Sequence, residues 1–366
     1  MKLLKILSYF FFIGFLFACD GDDPEVEPTA PNEPNAAQYE NGFLIANEGP
    51  FQNGTGTVSF FDYSTNTVSN NVFQIVNNRP LGNILQSVAV HNREIFMVVN
   101  NANKVEVADA ETFESIATIE NLALPRHFFG VDEDKAYVSL WSDGTEGKLA
   151  VIDLNTYTVS SEITTALGPG KMMLHSNGEL YVPCSGGFSS DDKVSIINTA
   201  TDALIEDVLV GSSPVGVVED KNQKIWVLCA GKFLPDFSGL EESGSLYKLD
   251  PTNNVIEFIF DFDDFQSRPS NLVIDSDGEH IFYTLAGSIY KMSVDATDLP
   301  SSALFSASLY GLGFDPESGY LIGSDAGDFV SNGKIMRYNP ENGEKIDEFT
   351  VGVIPNGGFH FKENNN

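Results

Sequence analysis

Over residues 41–362 the chain alternates short apolar runs with polar, glycine-rich turns, and one pattern recurs seven times. A Gly or polar residue opens it, apolar alternation follows, and Asp, Asn or Ser closes it. The copies are GTVSFFD (56–62), NKVEVAD (103–109), GKLAVID (147–153), DKVSIIN (192–198), GSLYKLD (244–250), GSIYKMS (287–293) and GKIMRYN (333–339), ending 43 to 52 residues apart. A more continuously apolar run precedes each one: FLIAN, IFMVV, AYVSL, LYVPC, IWVLC, IFYTL and LIGSD. Earlier still comes a third kind of segment, often opened by Pro, as in LPRHFFGV, GPGKMMLH, SPVGVVED and RPSNLVID. A fourth follows the closing residue, as in TVSSEIT (158–164) and NVIEFIF (254–260).

Four short strands per unit at a period of about 45 residues predict a β-propeller. No stretch sustains a helical period, and turn residues punctuate the whole repeat. The expected fold is all-β: seven four-stranded blades. Residues 43–47 begin a blade at its second strand, and IPNGGFHF (354–361) reads as a first strand without a blade. The C-terminal strand is therefore expected to close the N-terminal blade and leave no open edge.

The start of the chain reads differently. Lys2 and Lys5 precede an apolar run from Ile6 to Phe17, too short to cross a bilayer and typical of a secretory leader. Leu16-Phe17-Ala18-Cys19 resembles the lipobox of bacterial lipoproteins, which implies cleavage before Cys19 and acylation of its thiol; Phe17 is unusual for that motif. Residues 1–18 are expected to be a signal peptide. Residues 19–40 are expected to form an acylated, disordered tether rich in acid and proline, and residues 363–366 a disordered tail. The acids Asp20, Asp22 and Asp23 directly after the cysteine resemble the signal that sends Bacteroidetes lipoproteins to the cell surface.

Charge narrows the partners. With 20 Lys+Arg against 52 Asp+Glu the net charge is −32, and −34 once residues 1–18 are gone. That sign argues against nucleic acid and anionic lipid surfaces, leaving the lipid anchor as the expected membrane contact. The blade pattern, with LIANEGPFQNGTGTVSFFD (44–62) as its opening copy, resembles the YncE-like seven-bladed propellers found as Bacteroidetes surface lipoproteins. The resemblance spans residues 41 to 362. It implies two kinds of relative: proteins that capture cobalamin for a TonB-dependent outer-membrane transporter, and proteins without a known ligand.

Catalytic and metal signatures are sparse. The five histidines show no paired spacing, and neither a nucleophile elbow nor a phosphate loop occurs. Asp275 to Glu279 reads as a turn, and Cys184 and Cys229 as small buried residues at equivalent blade positions. No enzyme activity and no cofactor are expected. Four loops after second strands (47–56, 184–193, 230–244 and 325–333) are long, and the loops place Phe51, Trp141, Phe188, Phe233, Phe237 and Phe329 on Gly- and Ser-rich turns, a pattern expected of a recognition face. Three of the five arginines, Arg79, Arg126 and Arg268, adjoin prolines expected to open first strands, with His127 and Lys171 similarly placed. These bases are expected to converge at the channel mouth and grip an anionic group, the alternative being pairing with loop acids such as Asp143, Asp191 or Glu241. Gln86, Tyr310 and Asn356 complete the expected ligand-binding set. The leading expectation is capture of a small nutrient, cobalamin or another corrinoid, for a transporter; the alternative is a module docking another envelope protein.

Overall fold

The computed structural model describes residues 39–51 and 54–361. The expected leader, Cys19, most of the tether and the tail lie outside the described residues.

Seven four-stranded antiparallel sheets form the fold, and each is one blade. Six blades run in simple chain order from a first, innermost strand to a fourth, outer one. In blade 1 the first strand is Pro355–Phe361, which pairs with Gly42–Asn47 through Phe43↔Phe361, Leu44↔His360 and Ile45↔Phe359. The first and last described strands thus share one sheet, as the sequence led us to expect.

The second strands are apolar throughout because both of their faces are covered. In Glu94–Val99, Ile95, Met97 and Val99 pack toward blade 1, while Phe96 and Val98 pack toward blade 3. The same division of alternate residues recurs around the ring, giving seven buried clusters, one per seam between neighbouring blades. A sheet buried on both faces reads as a continuous apolar run, whereas a half-solvated one alternates. The fourth strands are of the solvated kind: Ala203–Leu209 exposes six of its seven residues and buries only Val208.

Two additions interrupt the repeat. A short helix, Val72–Asn77, and the residues after it occupy the link from blade 1 into blade 2. In blade 5 the loop after the second strand folds into a hairpin, Lys232–Phe233 against Leu240–Glu242. Asp275 forms the expected turn, its carboxylate accepting from the backbone N–H groups of Glu279 and His280 at 2.8 and 3.1 Å. Cys184 and Cys229 are buried in successive seams as free thiols.

Candidate functional site: the channel mouth

One backbone device recurs in five blades. Ile84, Leu124, Gly168, Ser213 and Ile354 all have left-handed φ, between +52° and +67°. Each sits just before its first strand. Each carbonyl accepts the N–H of the residue that leaves the second strand: Asn100, Trp141, Ser185, Ala230 and Glu48, at 2.8 to 3.2 Å. For β-branched Ile84 and Ile354 this conformation costs on the order of 1–3 kcal/mol, so the surrounding hydrogen bonds must hold it.

Just beyond each of these strained residues the first strand slips its register. Leu85 and Ser87 pair with Val99 and Val98 and skip Gln86; Pro125 and Phe128 pair while Arg126 and His127 do not; Pro214 and Gly216 pair around Val215. Asn356 is skipped in blade 1, and Gly170 and Lys171 lie between Pro169 and Met173, which pair. A bulged residue is released from the ladder and can be re-aimed. Here all of them turn into the mouth of the ring, where Gln86, Arg126, Gly170, Val215 and Asn356, each two residues past the left-handed position, line a cavity.

The mouth holds two cavities. The larger, about 590 Å³, lies over blades 3 to 6 and is lined by Arg126, His127, Trp141, Lys171, Phe188, Phe233, Phe237 and Arg268, among others. That volume is within the roughly 300–1,000 Å³ typical of small-molecule sites. The smaller, about 430 Å³, adjoins blades 1, 2 and 7 and is lined by Glu48, Phe51, Ile84, Gln86, Asn100, Asn101, Arg126, Tyr310 and Asn356. Eleven of the thirteen expected ligand-binding residues therefore meet at one face. Phe329 stands at the rim, edge-on to Tyr310 with ring centroids 5.5 Å apart.

Arg79 is the correction. Pro80 does not open a strand: it follows the helix Val72–Asn77, and Leu81–Ile84 intervene before the first strand of blade 2 starts at Leu85. Arg79 instead stacks on Phe73 and pairs with Glu106, a fully buried acid on the third strand of blade 2, while also donating to Ser115 Oγ at 2.9 Å. Burial works against the Glu106 carboxylate, but bonds from Arg79, Lys104 and Ser115 outweigh it and hold its pKa below the usual glutamate range. Arg79 serves that buried acid and has no part in the mouth.

The other cations behave differently. Among the described residues, every Lys and Arg except three has an acidic partner within 4 Å. The three are Arg126, Lys171 and Arg268, and all line the larger cavity. The loop acids that were candidate partners are engaged elsewhere: Asp143 holds Thr145, Asp191 holds Lys193 and the Leu167 N–H, and Glu241 holds Lys232. Arg126 lies 3.9 Å over the Trp141 ring, and Arg268 lies 4.6 Å over Phe233 while donating to the Ala230 and Gly231 carbonyls. Planar stacking of this kind leaves guanidinium N–H groups free for an anion.

Burial pulls Arg126 down to about 10, opposed by the charges of Glu48 and Tyr310. Lys171, ringed by protein but open to channel water, is also held below its usual value, as is Arg268. Burial, reinforced by Arg126 and Lys171, drives His127 down to about 3, so its imidazole is neutral at physiological pH. Neither His127, held neutral, nor Arg126, held charged, should therefore make anion binding depend on pH in the physiological range. The affinity should fall at alkaline pH as Lys171, whose pKa burial lowers, gives up its proton while Arg126 keeps its charge; calorimetry across that range checks it.

The rim is aromatic. Phe51 and Phe188 are 69% exposed and Phe237 is 75% exposed. Phe188 meets Trp141 edge-on at 5.6 Å, and Phe233 contacts Phe237 at 5.5 Å across the inserted hairpin. Glu48, Asn100 and Asn101 were missed from sequence because each looks like ordinary turn punctuation. Their common signal is position, immediately after a second strand.

A seven-bladed β-propeller with a cationic, aromatic mouth is suited to ligand binding or protein interaction. The chain belongs to the family described as a domain of unknown function, DUF5074, whose profile matches residues 41–361. No curated protein matches it by sequence. Among solved structures it is similar to a quinonprotein alcohol dehydrogenase-like protein of Bacteroides thetaiotaomicron, with a TM-score of 0.66 and 15% identity over 89% of this chain and 79% of that one. It is also similar to hydrazine synthase of Kuenenia stuttgartiensis (TM-score 0.60, 14% identity, 81% and 97% covered). A protein from Lactobacillus plantarum has a TM-score of 0.60 and 13% identity, with 87% and 98% covered. At such identities the likeness concerns the fold alone.

Proposed function

We propose that this is a non-catalytic capture protein whose mouth binds a small ligand carrying an anionic group beside a flat apolar surface. One observation carries the reading: the three cations without an acidic partner among the described residues share one cavity. Leaving cations unpaired and partly desolvated costs stability unless an outside anion completes them. A corrinoid offers a phosphodiester and a broad apolar ring, and is the first ligand to test. With Cys19 acylated, the propeller would work at the outer membrane beside a TonB-dependent transporter that receives the ligand. A second reading, docking of an envelope protein, draws on the exposed rim of Phe51, Phe188 and Phe237.

The test is Arg126→Met. Loss of charge-assisted hydrogen bonds worth about 1.5–3 kcal/mol should weaken cyanocobalamin binding roughly 10- to 150-fold. The melting temperature should hold or rise, because an unpaired, desolvated charge has been removed. A structural arginine would behave oppositely, losing stability. Unchanged binding in that variant, or no binding by the parent protein, rejects the corrinoid reading. Native mass spectrometry of protein from its own host then identifies what the mouth holds, and a bound polypeptide would favour the docking module.

The anchor has its own test. Cys19→Ala should leave the protein unprocessed or released from the membrane fraction, and normal fractionation would refute acylation.

A further inference from the structure

The two cavities of the mouth share one lining residue, Arg126, and their chemistry differs on its two sides. On one side lie the Trp141 face and the aromatic rim. On the other side lies a polar wall built around one carboxylate, Glu48, with several of the amide donors turned to backbone or to each other. Asn100 Nδ2 donates to the Pro125 carbonyl at 2.9 Å, and Asn101 Nδ2 to Asn83 Oδ1 at 2.8 Å. Asn356 Nδ2 donates to the Leu85 and Gln86 carbonyls at 3.3 and 2.8 Å. Oδ1 of Asn100 and of Asn101 are left as acceptors. Beside them is the Glu48 carboxylate, which the Asn356 amide also approaches and the Tyr310 hydroxyl meets only at a long 3.5 Å. Glu48 is the one acid in this lining, and among the described residues it has no ion pair within 4 Å. A carboxylate drawn out of water without a cation partner is a site for a cationic donor.

We propose that the mouth takes a ligand in three parts. A flat apolar group lies in the larger cavity, an internal anion such as a phosphodiester rests on Arg126, and a hydrogen-bond-donating group, an ammonium for choice, enters the smaller cavity against Glu48. The proposal rests on the anion-binding reading above and adds the order of the groups. A terminal anion would occupy the Arg126 wall and leave the acceptors of the smaller cavity unused. An anion in mid-ligand lets both cavities fill at once. Glu48 is then the residue that selects for the donor.

The experiment compares two diesters of equal charge at phosphorus, methyl phenyl phosphate and 2-aminoethyl phenyl phosphate, by calorimetry on the parent protein, Glu48→Gln and Arg126→Met. The aminoethyl ester should bind the parent about ten-fold or more tightly than the methyl ester, as a charge-assisted hydrogen bond predicts. Glu48→Gln should abolish that difference while leaving the methyl ester bound as well as before or better, since Arg126 loses a neighbouring negative charge. Arg126→Met should weaken both esters. Equal binding of the two esters to the parent, or a preference that survives Glu48→Gln, overturns the three-part order while leaving the anion site standing. If neither ester binds the parent, the anion-site reading falls and this one with it.

Discussion

Ending the chain after Ile354 is expected to abolish cooperative unfolding near the parent temperature. The lost segment, Pro355–Phe361, is the innermost strand of blade 1, so its removal breaks a ladder and bares the edge of Gly42–Asn47. It also removes Phe359 and Phe361 from the seam between blades 7 and 1, where both rings pack on Phe43 at 6.3 and 5.3 Å. Full burial of such a side chain is worth about 1.5–3 kcal/mol and these half-buried rings contribute part of that, in addition to the lost ladder, while whole domains are stable by only about 5–15 kcal/mol. The exposed edge would in addition favour aggregation. Calorimetry with size-exclusion chromatography reads both effects. A truncated protein that stays monomeric and melts at the parent temperature would mean that the ring closes without this strand.

The second large effect is expected from Gly311→Val, at the same seam. The first strands of blades 7 and 1 cross so closely that a Cβ on Gly311 would run into the Gly357 backbone, and a Cβ on Gly357 would lie 2.6 Å from Gly311 Cα. Backbone, unlike a flexible side chain, cannot step aside, so the strands must separate and strain the seam they close. Overpacking of this kind costs about 1–3 kcal/mol, and a contact between two backbones belongs at the upper end. Gly170→Ala is the control: its added Cβ meets only the Pro183 carbonyl, at 3.4 Å, and the melting temperature should barely move. Similar melting of the two variants would show that the strands at the seam can part freely.

The fold was legible because double burial prints itself on the second strands. A run such as Ile225–Cys229, buried at every position, leaves no ambiguity about period once it recurs seven times. Much of the mouth was legible for a compositional reason: in so acidic a chain, bases beside first-strand prolines stand out, and Arg126, Lys171 and Arg268 were found that way. Arg79 failed on the same logic, since a proline marks a break but not how many residues come before pairing starts. The helix Val72–Asn77 was too short to show a period. The bulges that re-aim Gln86, Arg126 and Asn356 were invisible, because a skipped ladder bond leaves no trace in hydrophobicity. Glu48 went unseen for a related reason: an acid in Asn-Glu-Gly reads as a turn until the fold shows which way it faces.

The left-handed residues that precede the first strands bear on how such a protein can change. Gln86, Arg126, Gly170 and Val215 each stand two residues past a left-handed position and so share a common mount, whereas Asn356, at the equivalent place in blade 1, is tied to the Leu85 and Gln86 carbonyls of blade 2. Exchanging Arg126 with Val215 would carry the positive charge two blades around the mouth without touching a seam. The four free positions on this mount can thus change in charge and size while the residues that seal the seams stay as they are.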